Sequence, residues 1–92
     1  MLDSQKKQAL KAKAHKLNPV VMIGDKGLTE NVLKEVDAAL EAHELIKVKI
    51  ASNDREARKS ATNEICLKVT CELVQIIGNI SILYRQKTKK KG

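Results

Sequence analysis

Residues 20–30 read VVMIGDKGLTE and combine a short apolar run, two glycines three positions apart and the start of a helix. The run from Val20 to Ile23 is rich in β-branched side chains and follows a proline, which is typical of a buried strand. Gly24 and Gly27 allow a positive φ and a close approach of a ligand to the backbone. Thr29 is a favourable N-cap. We therefore predict a strand, a tight loop and a helix start that suits a phosphate.

This loop is a weak signal by itself. It lacks the third glycine of a dinucleotide-binding loop and the Gly-Lys-Ser/Thr ending of a P-loop. Lys26 would add a positive charge between the glycines, and Asp25 would partly cancel it. From these residues alone, a phosphate-binding loop and a plain strand-to-helix connection both remain open.

The length of 92 residues allows one domain and not two. Because Tyr84 is the only aromatic residue, the core must be built from aliphatic side chains. No apolar run approaches the ~18 residues that cross a membrane, and the first residues lack the apolar stretch of a secretory signal. We therefore expect a cytoplasmic protein without a membrane partner.

The residues that could carry chemistry are few and scattered. Cys66 and Cys71 do not form a Cys-x-x-Cys pair, and His15 and His43 lie far from them in the sequence. A structural zinc site needs four ligands in recognisable pairs. We find no nucleophile motif and no nucleotide loop. The sequence therefore predicts no metal, no cofactor, no small-molecule substrate and no enzymatic activity.

The positive charge is concentrated at the two ends of the chain. The formal net charge is +7: residues 1–27 carry +4, residues 85–92 carry +5 and the middle of the chain carries −2. Since folded chains often bring their termini close together, these charges can form one face that binds a polyanion.

Periodicity predicts seven elements. Helices are expected over Ser4–Lys16, Thr29–His43 and from the turn Ser52–Asp54 to Val69, and strands over Val20–Ile23, Leu45–Ala51, Cys71–Ile77 and Ile80–Tyr84. The last two strands form a hairpin with Gly78 first in its turn. The order αβαβαββ predicts a single two-layer α/β domain with three helices and a four-stranded mixed sheet. The strand order does not follow from the sequence.

Lysines on the first helix and the second strand are candidate RNA contacts. Lys13 and Lys16 lie on the polar side of the helix, and Lys47 and Lys49 alternate with apolar residues in the strand. Ordinary solvation, or protection of a strand against aggregation, is the alternative explanation.

Arg55 and Arg58 stand in the first turns of the third helix, where cations oppose the helix dipole. A contact to an anion and a structural pair with Glu56 or another carboxylate are the two explanations that remain open.

Four segments match a known pattern, although each alone is common: LNPVV (17–21), GDKGLT (24–29), HELIKVK (43–49) and LYR (83–85). Together they resemble the YhbY family, the free-standing bacterial form of the CRM (chloroplast RNA splicing and ribosome maturation) domain. The resemblance implies a compact α/β fold similar to the carboxy-terminal domain of bacterial translation initiation factor 3. It also implies RNA binding and association with precursors of the large ribosomal subunit. The domain then covers residues 1–85, and residues 86–92 form a flexible basic tail.

The resemblance assigns the Gly-x-x-Gly loop a role similar to the backbone-clamping loop of KH domains. Added to the basic side chains above, it completes the predicted set of RNA contacts: Lys13, Lys16, Gly24, Asp25, Lys26, Gly27, Lys47, Lys49, Arg55, Arg58 and Arg85.

We therefore expect an RNA-binding monomer that contacts ribosomal RNA of large-subunit precursors. With one aromatic residue it cannot stack several bases, so backbone contacts to structured RNA are favoured. The alternative is an assembly factor whose acidic second helix docks a basic ribosomal protein, through residues such as Glu35, Asp37 and Glu41. A helix-turn-helix is disfavoured because strands separate the helices.

Overall fold

The computed structural model describes residues 4–24 and 27–86. Its elements are α1 (Ser4–Ala14), β1 (Pro19–Ile23), α2 (Glu30–His43), β2 (Leu45–Ile50), α3 (Arg55–Val69), β3 (Glu72–Ile77) and β4 (Ile80–Tyr84). The predicted order αβαβαββ is thus confirmed. Asp25, Lys26 and residues 87–92 of the predicted tail lie outside the described residues, so the predictions made for them remain predictions.

The sheet is mixed, with the order β1-β2-β4-β3. Strands β1 and β2 are parallel, and β4 pairs antiparallel with both β2 and β3. This order brings the carboxyl ends of β1 and β2 beside the turn between β3 and β4. The Ile50 N–H donates to the Asn79 carbonyl at 2.8 Å, and the Ala51 N–H donates to the Ile23 carbonyl at 2.9 Å. We call this edge of the sheet the loop end.

Helices cover both faces of the sheet. Helices α2 and α3 bury Leu40 and Ile65 against one face, the α2–α3 face. Helix α1 buries Leu10 and Ala14 against the other, the α1 face, where they meet Ile82 and its neighbours. The predicted two layers are therefore the sheet and the α2–α3 pair, and α1 adds a short third layer.

Strand β2 shows the predicted alternation. Ile46 and Val48 are fully buried in the core under α2 and α3. Because successive side chains of a strand point to opposite faces, Lys47 and Lys49 stand on the α1 face. Both lysines are half-buried. The strand therefore presents its charge on the side where α1 packs.

Helix α3 buries most of the stripe that its periodicity predicts, which is Ala57, Ala61, Ile65 and Val69: Ile65 and Val69 are buried and Ala61 packs against the core. Ala57 is exposed and Thr62 is fully buried. The Thr62 hydroxyl donates to the Arg58 carbonyl at 2.8 Å and lies 2.7 Å from the Ser81 hydroxyl of β4, which is therefore the donor of that second bond. A buried polar pair is tolerated because each hydroxyl has a partner.

Candidate nucleic-acid interface

The Gly-x-x-Gly loop forms a tight turn at the carboxyl end of β1. The Gly27 N–H donates to the Gly24 carbonyl at 3.0 Å and closes the turn. Gly27 has a φ of +75°, as predicted, whereas Gly24 does not adopt the left-handed conformation. A Cβ added at either glycine would find no described atom within 4 Å. Side chains of the described residues therefore do not seal this turn, and a ligand can approach its backbone.

The start of α2 adds less to an anion site than the sequence suggested. Thr29 is the N-cap, and its hydroxyl oxygen accepts from the Val32 N–H at 3.2 Å. Glu30 places a carboxylate in the first turn, where it already interacts favourably with the helix dipole. A phosphate at this corner would therefore be held by the backbone of the turn more than by the helix end.

A narrow cleft of about 170 Å³ opens beside α1, next to the place where the helix packs on the sheet. Lys11 of α1 and His15, which follows the helix and whose N–H donates to the Lys11 carbonyl at 3.1 Å, line the cleft together with Lys47 of β2. The complete lining is Lys11, His15, Lys47, Gln75, Ile77 and Ile82. The sequence-based set included only Lys47 of these six. The spacing of Lys11 and His15 would have paired them, but only the packing of α1 shows what they face.

Lys13 and Lys16 are exposed at the carboxyl end of α1. Helical geometry places Lys13 on a different flank of α1 from Lys11, and Lys16 lies beyond the end of the helix. In the register of β1 and β2, Lys49 lies opposite the exposed Met22. It is two residues closer to the loop end than Lys47. Within residues 4–24 and 27–86, none of the lysines at 11, 13, 16, 47 and 49 forms an ion pair. We call these five lysines, which lie on more than one side of α1 and on the adjoining strand β2, the basic surface.

A second basic cleft, of about 340 Å³, opens at the loop end on the α2–α3 face. It is lined by Arg55, Arg58, Lys59, Ile76 and Gly78. The Arg58 side chain already makes one hydrogen bond within the protein, because its Nη1 donates to the Ser52 carbonyl at 2.8 Å. Its buried Nε has no hydrogen-bond partner among the described residues. Arg55 and Arg58 therefore come together as predicted, but on the opposite face of the sheet from Lys47.

Arg85 does not belong with the other predicted contacts. It follows Tyr84, which pairs with Leu45 at the far end of the sheet from the loop end. Its guanidinium donates to Asp37 Oδ1 at 2.7 Å, to the Val69 carbonyl at 2.8 Å and, more weakly, to Glu41 Oε2 at 3.4 Å. A guanidinium that joins β4, α2 and α3 has a structural role, and we leave it out of the interface.

The same contacts involve two acidic side chains of α2. Asp37 and Glu41, which the alternative hypothesis assigned to a protein partner, both accept hydrogen bonds from Arg85. Glu35 is exposed on the same helix. Two of the three carboxylates named for docking thus already serve the fold.

The two thiols meet at the carboxyl end of α3. Cys71 Sγ donates to Cys66 Sγ at 3.7 Å, and both cysteines are free. This bond lowers the pKa of Cys66, against the effect of its burial, and it raises the pKa of Cys71, as burial also does.

In the described part of the chain, no group of three or more His, Cys, Asp or Glu side chains is placed to hold a metal ion. No described helix combines the length and the apolar character needed to cross a bilayer.

The chain is similar to bacterial proteins that are named RNA-binding proteins. The chain is 50% identical to a Haemophilus influenzae protein named "RNA-binding protein", over 98% of this chain and 91% of that one. It is 36% identical to the Bacillus subtilis protein named "Probable RNA-binding protein YqeI", over 99% and 95% of the two chains.

The fold also matches a solved structure. A Staphylococcus aureus protein, SAV1595, whose solution structure was described as that of a candidate RNA-binding protein, superposes with a TM-score of 0.85 at 35% identity. The match covers 99% of this chain and 95% of that one. The family model of the CRS1/YhbY (CRM) domain matches residues 2–85. The chain therefore belongs to the CRS1/YhbY family of CRM-domain proteins.

Proposed function

We propose that this protein binds structured RNA through its basic surface and the Gly24–Gly27 turn. The observation that carries the proposal is the cleft in which α1 and β2, two elements distant in sequence, place Lys11, His15 and Lys47 together. Lysines without carboxylate partners can give their full charge to a phosphate backbone. The names of the relatives point to the same ligand.

The mode of binding follows from the side chains available. Tyr84 is 9% exposed, and Lys6 Nζ lies 5.3 Å from the centroid of its ring. The ring is therefore not free to stack on several bases in the way of an RRM or an OB-fold. Ammonium groups and the open backbone of the turn contact phosphate and ribose instead, which favours folded RNA over sequence readout.

The RNA that we propose is ribosomal RNA within precursors of the large subunit, bound by the monomeric protein in the cytoplasm. This assignment rests on the family resemblance and on the mode of binding, because ribosomal precursors present abundant folded RNA. In vitro, binding of fluorescent fragments of large-subunit RNA should be measured between 50 and 200 mM salt. With about four lysine–phosphate contacts, the affinity should fall roughly a hundredfold over that range. A flat salt curve would contradict the proposal.

The identity of the RNA is tested in cells. Crosslinking followed by sequencing should recover large-subunit precursor RNA above transfer and messenger RNA. Recovery of ribosomal proteins without RNA would favour the docking alternative.

A further inference from the structure

The cleft between α1 and the sheet has a floor with different chemistry on its two sides. Lys47 of β2, Ile82 of β4 and Gln75 of β3 form one row across three neighbouring strands. Neighbouring strands lie ~4.8 Å apart, so the backbones of Lys47 and Gln75 lie about 10 Å apart, with Ile82 between them. The row therefore offers an apolar centre between a cationic edge and a neutral edge.

The residues around this row show the same division between a cationic side and a neutral side. On the α1 side, Lys11 and His15 close the cleft, and along β3 Ile77 follows Gln75 on the same face. Ile77 is 55% exposed, which is unusual for an isoleucine in a strand. The imidazole of His15 supplies a flat ring of the kind on which unstacked bases pack. An exposed apolar side chain, a ring and an amide thus lie within one small cavity.

We propose that this cleft binds a single unpaired nucleobase of the RNA. The base would lie between His15 and Ile77, with its hydrogen-bonding edge toward the Gln75 amide and its flanking phosphates on Lys11 and Lys47. An amide has both donors and an acceptor, so it can pair with the edge of a base, which a lysine cannot do in the same way. The volume of about 170 Å³ lies below the ~300 Å³ at which pockets for drug-sized ligands begin, and it suits one ring system.

The inference rests on the proposed RNA binding and adds a specific contact to it. Phosphate contacts alone do not distinguish a fully paired stem from one with an unpaired nucleotide. A base in the cleft would create that distinction: the protein would bind irregular helices, with bulges or internal loops, more tightly than regular ones.

The experiment compares two RNA hairpins that differ only by one bulged nucleotide. The wild-type protein should bind the bulged hairpin roughly tenfold more tightly. Ile77→Ser and Gln75→Leu should each remove most of this preference. Neither change removes a charge, so the affinity for the fully paired hairpin and the salt dependence should stay as in the wild type. With 2-aminopurine at the bulge, fluorescence should change on binding to the wild type and not on binding to Ile77→Ser.

Matched controls change an exposed aliphatic residue and an exposed histidine elsewhere on the protein. Leu67 is 82% exposed on α3, and His43 is exposed at the end of α2. Leu67→Ser should keep the preference for the bulge, and His43→Ala should keep it while His15→Ala weakens it. Thermal melts of every variant show whether the fold is intact.

Each outcome has one meaning. Equal affinity of the wild type for both hairpins, or a preference that survives in folded Ile77→Ser and Gln75→Leu, would overturn the nucleobase site. RNA binding by the basic surface would still stand in that case if the affinity remained salt-dependent. Failure of the wild type to bind either hairpin would overturn the proposed function as well.

Discussion

Lys47 and Arg85 are two cations on the same sheet with opposite surroundings. Arg85 is 19% exposed and donates to carboxylate and carbonyl oxygens of α2 and α3. Lys47 faces a cleft beside Lys11 and His15 and has no ion pair among the described residues. Both were predicted to contact RNA. The difference teaches that a cation is available for a ligand only where the fold supplies no internal acceptor.

The largest expected effect comes from removing Lys47 and Lys49, two cations of the basic surface. The double variant Lys47→Ala/Lys49→Ala should lower the affinity for structured RNA roughly fiftyfold at about 0.1 M salt, because two phosphate contacts and their counterion release are lost. The salt slope should decrease by about 2. Fluorescence anisotropy over a salt series measures both quantities.

The control removes two exposed lysines from the outer surfaces of α2 and α3, as Lys34→Ala/Lys68→Ala. It changes the net charge equally, yet it should leave the salt slope within about 0.5 of the wild type. If both double variants behaved alike, net charge and not the basic surface would explain binding.

Removing Arg85, the cation that is hydrogen-bonded within the fold, should lower the stability of the protein. Arg85→Ala should lower the free energy of unfolding by about 2 kcal/mol, since it removes charged hydrogen bonds and leaves the Val69 carbonyl without this donor. The exposed carboxylates of Asp37 and Glu41 add little to that figure. Urea denaturation gives the value.

Arg85→Lys keeps the charge but loses the fork of donors, so it should remain destabilised. The salt slope of RNA binding should stay unchanged in both variants. A reduced slope in folded Arg85→Ala, which removes the charge, would return Arg85 to the interface.

The turn at the end of β1 should give a smaller effect. Gly24→Ala places a methyl group in open space without requiring a positive φ, so the stability should change by less than about 0.5 kcal/mol. Close approach of an RNA backbone would be obstructed, and we expect a loss of affinity of several-fold. Gly27→Ala should instead destabilise the protein by about 1 kcal/mol, because its φ of +75° is unfavourable for alanine. Unchanged RNA binding by Gly24→Ala would remove the turn from the interface.

The smallest effect is expected on the acidic helix. The Glu35 side chain is exposed and its carboxylate has no hydrogen bond or ion pair with another described residue. Reversing its charge therefore tests that surface without disturbing Arg85. Glu35→Lys should change RNA affinity less than twofold. A strong defect in ribosome assembly with normal RNA binding would support docking of a basic protein instead.

Much of the fold could be predicted because its signals are local. The alternation of Ile46 and Val48 with lysines, the glycine at the hairpin turn and the Thr29 cap all gave the correct elements. The predicted stripe of α3 missed Thr62, because threonine reads as polar and its burial depends on Ser81, a partner nineteen positions away. The α1 cleft was missed for a similar reason, since its lining comes from four separate elements.

The sequence by itself determined the element order, the family and a strongly basic chain with a single aromatic residue, because these depend on spacing and composition. Only the tertiary structure decided the strand order, the face on which α1 packs and the partners of each cation. Those partners depend on contacts between distant residues: Arg85 meets its acceptors across the core, while Lys47 is left facing a cleft. A charge is visible in the sequence, but whether it is available to a ligand is a property of the packed chain.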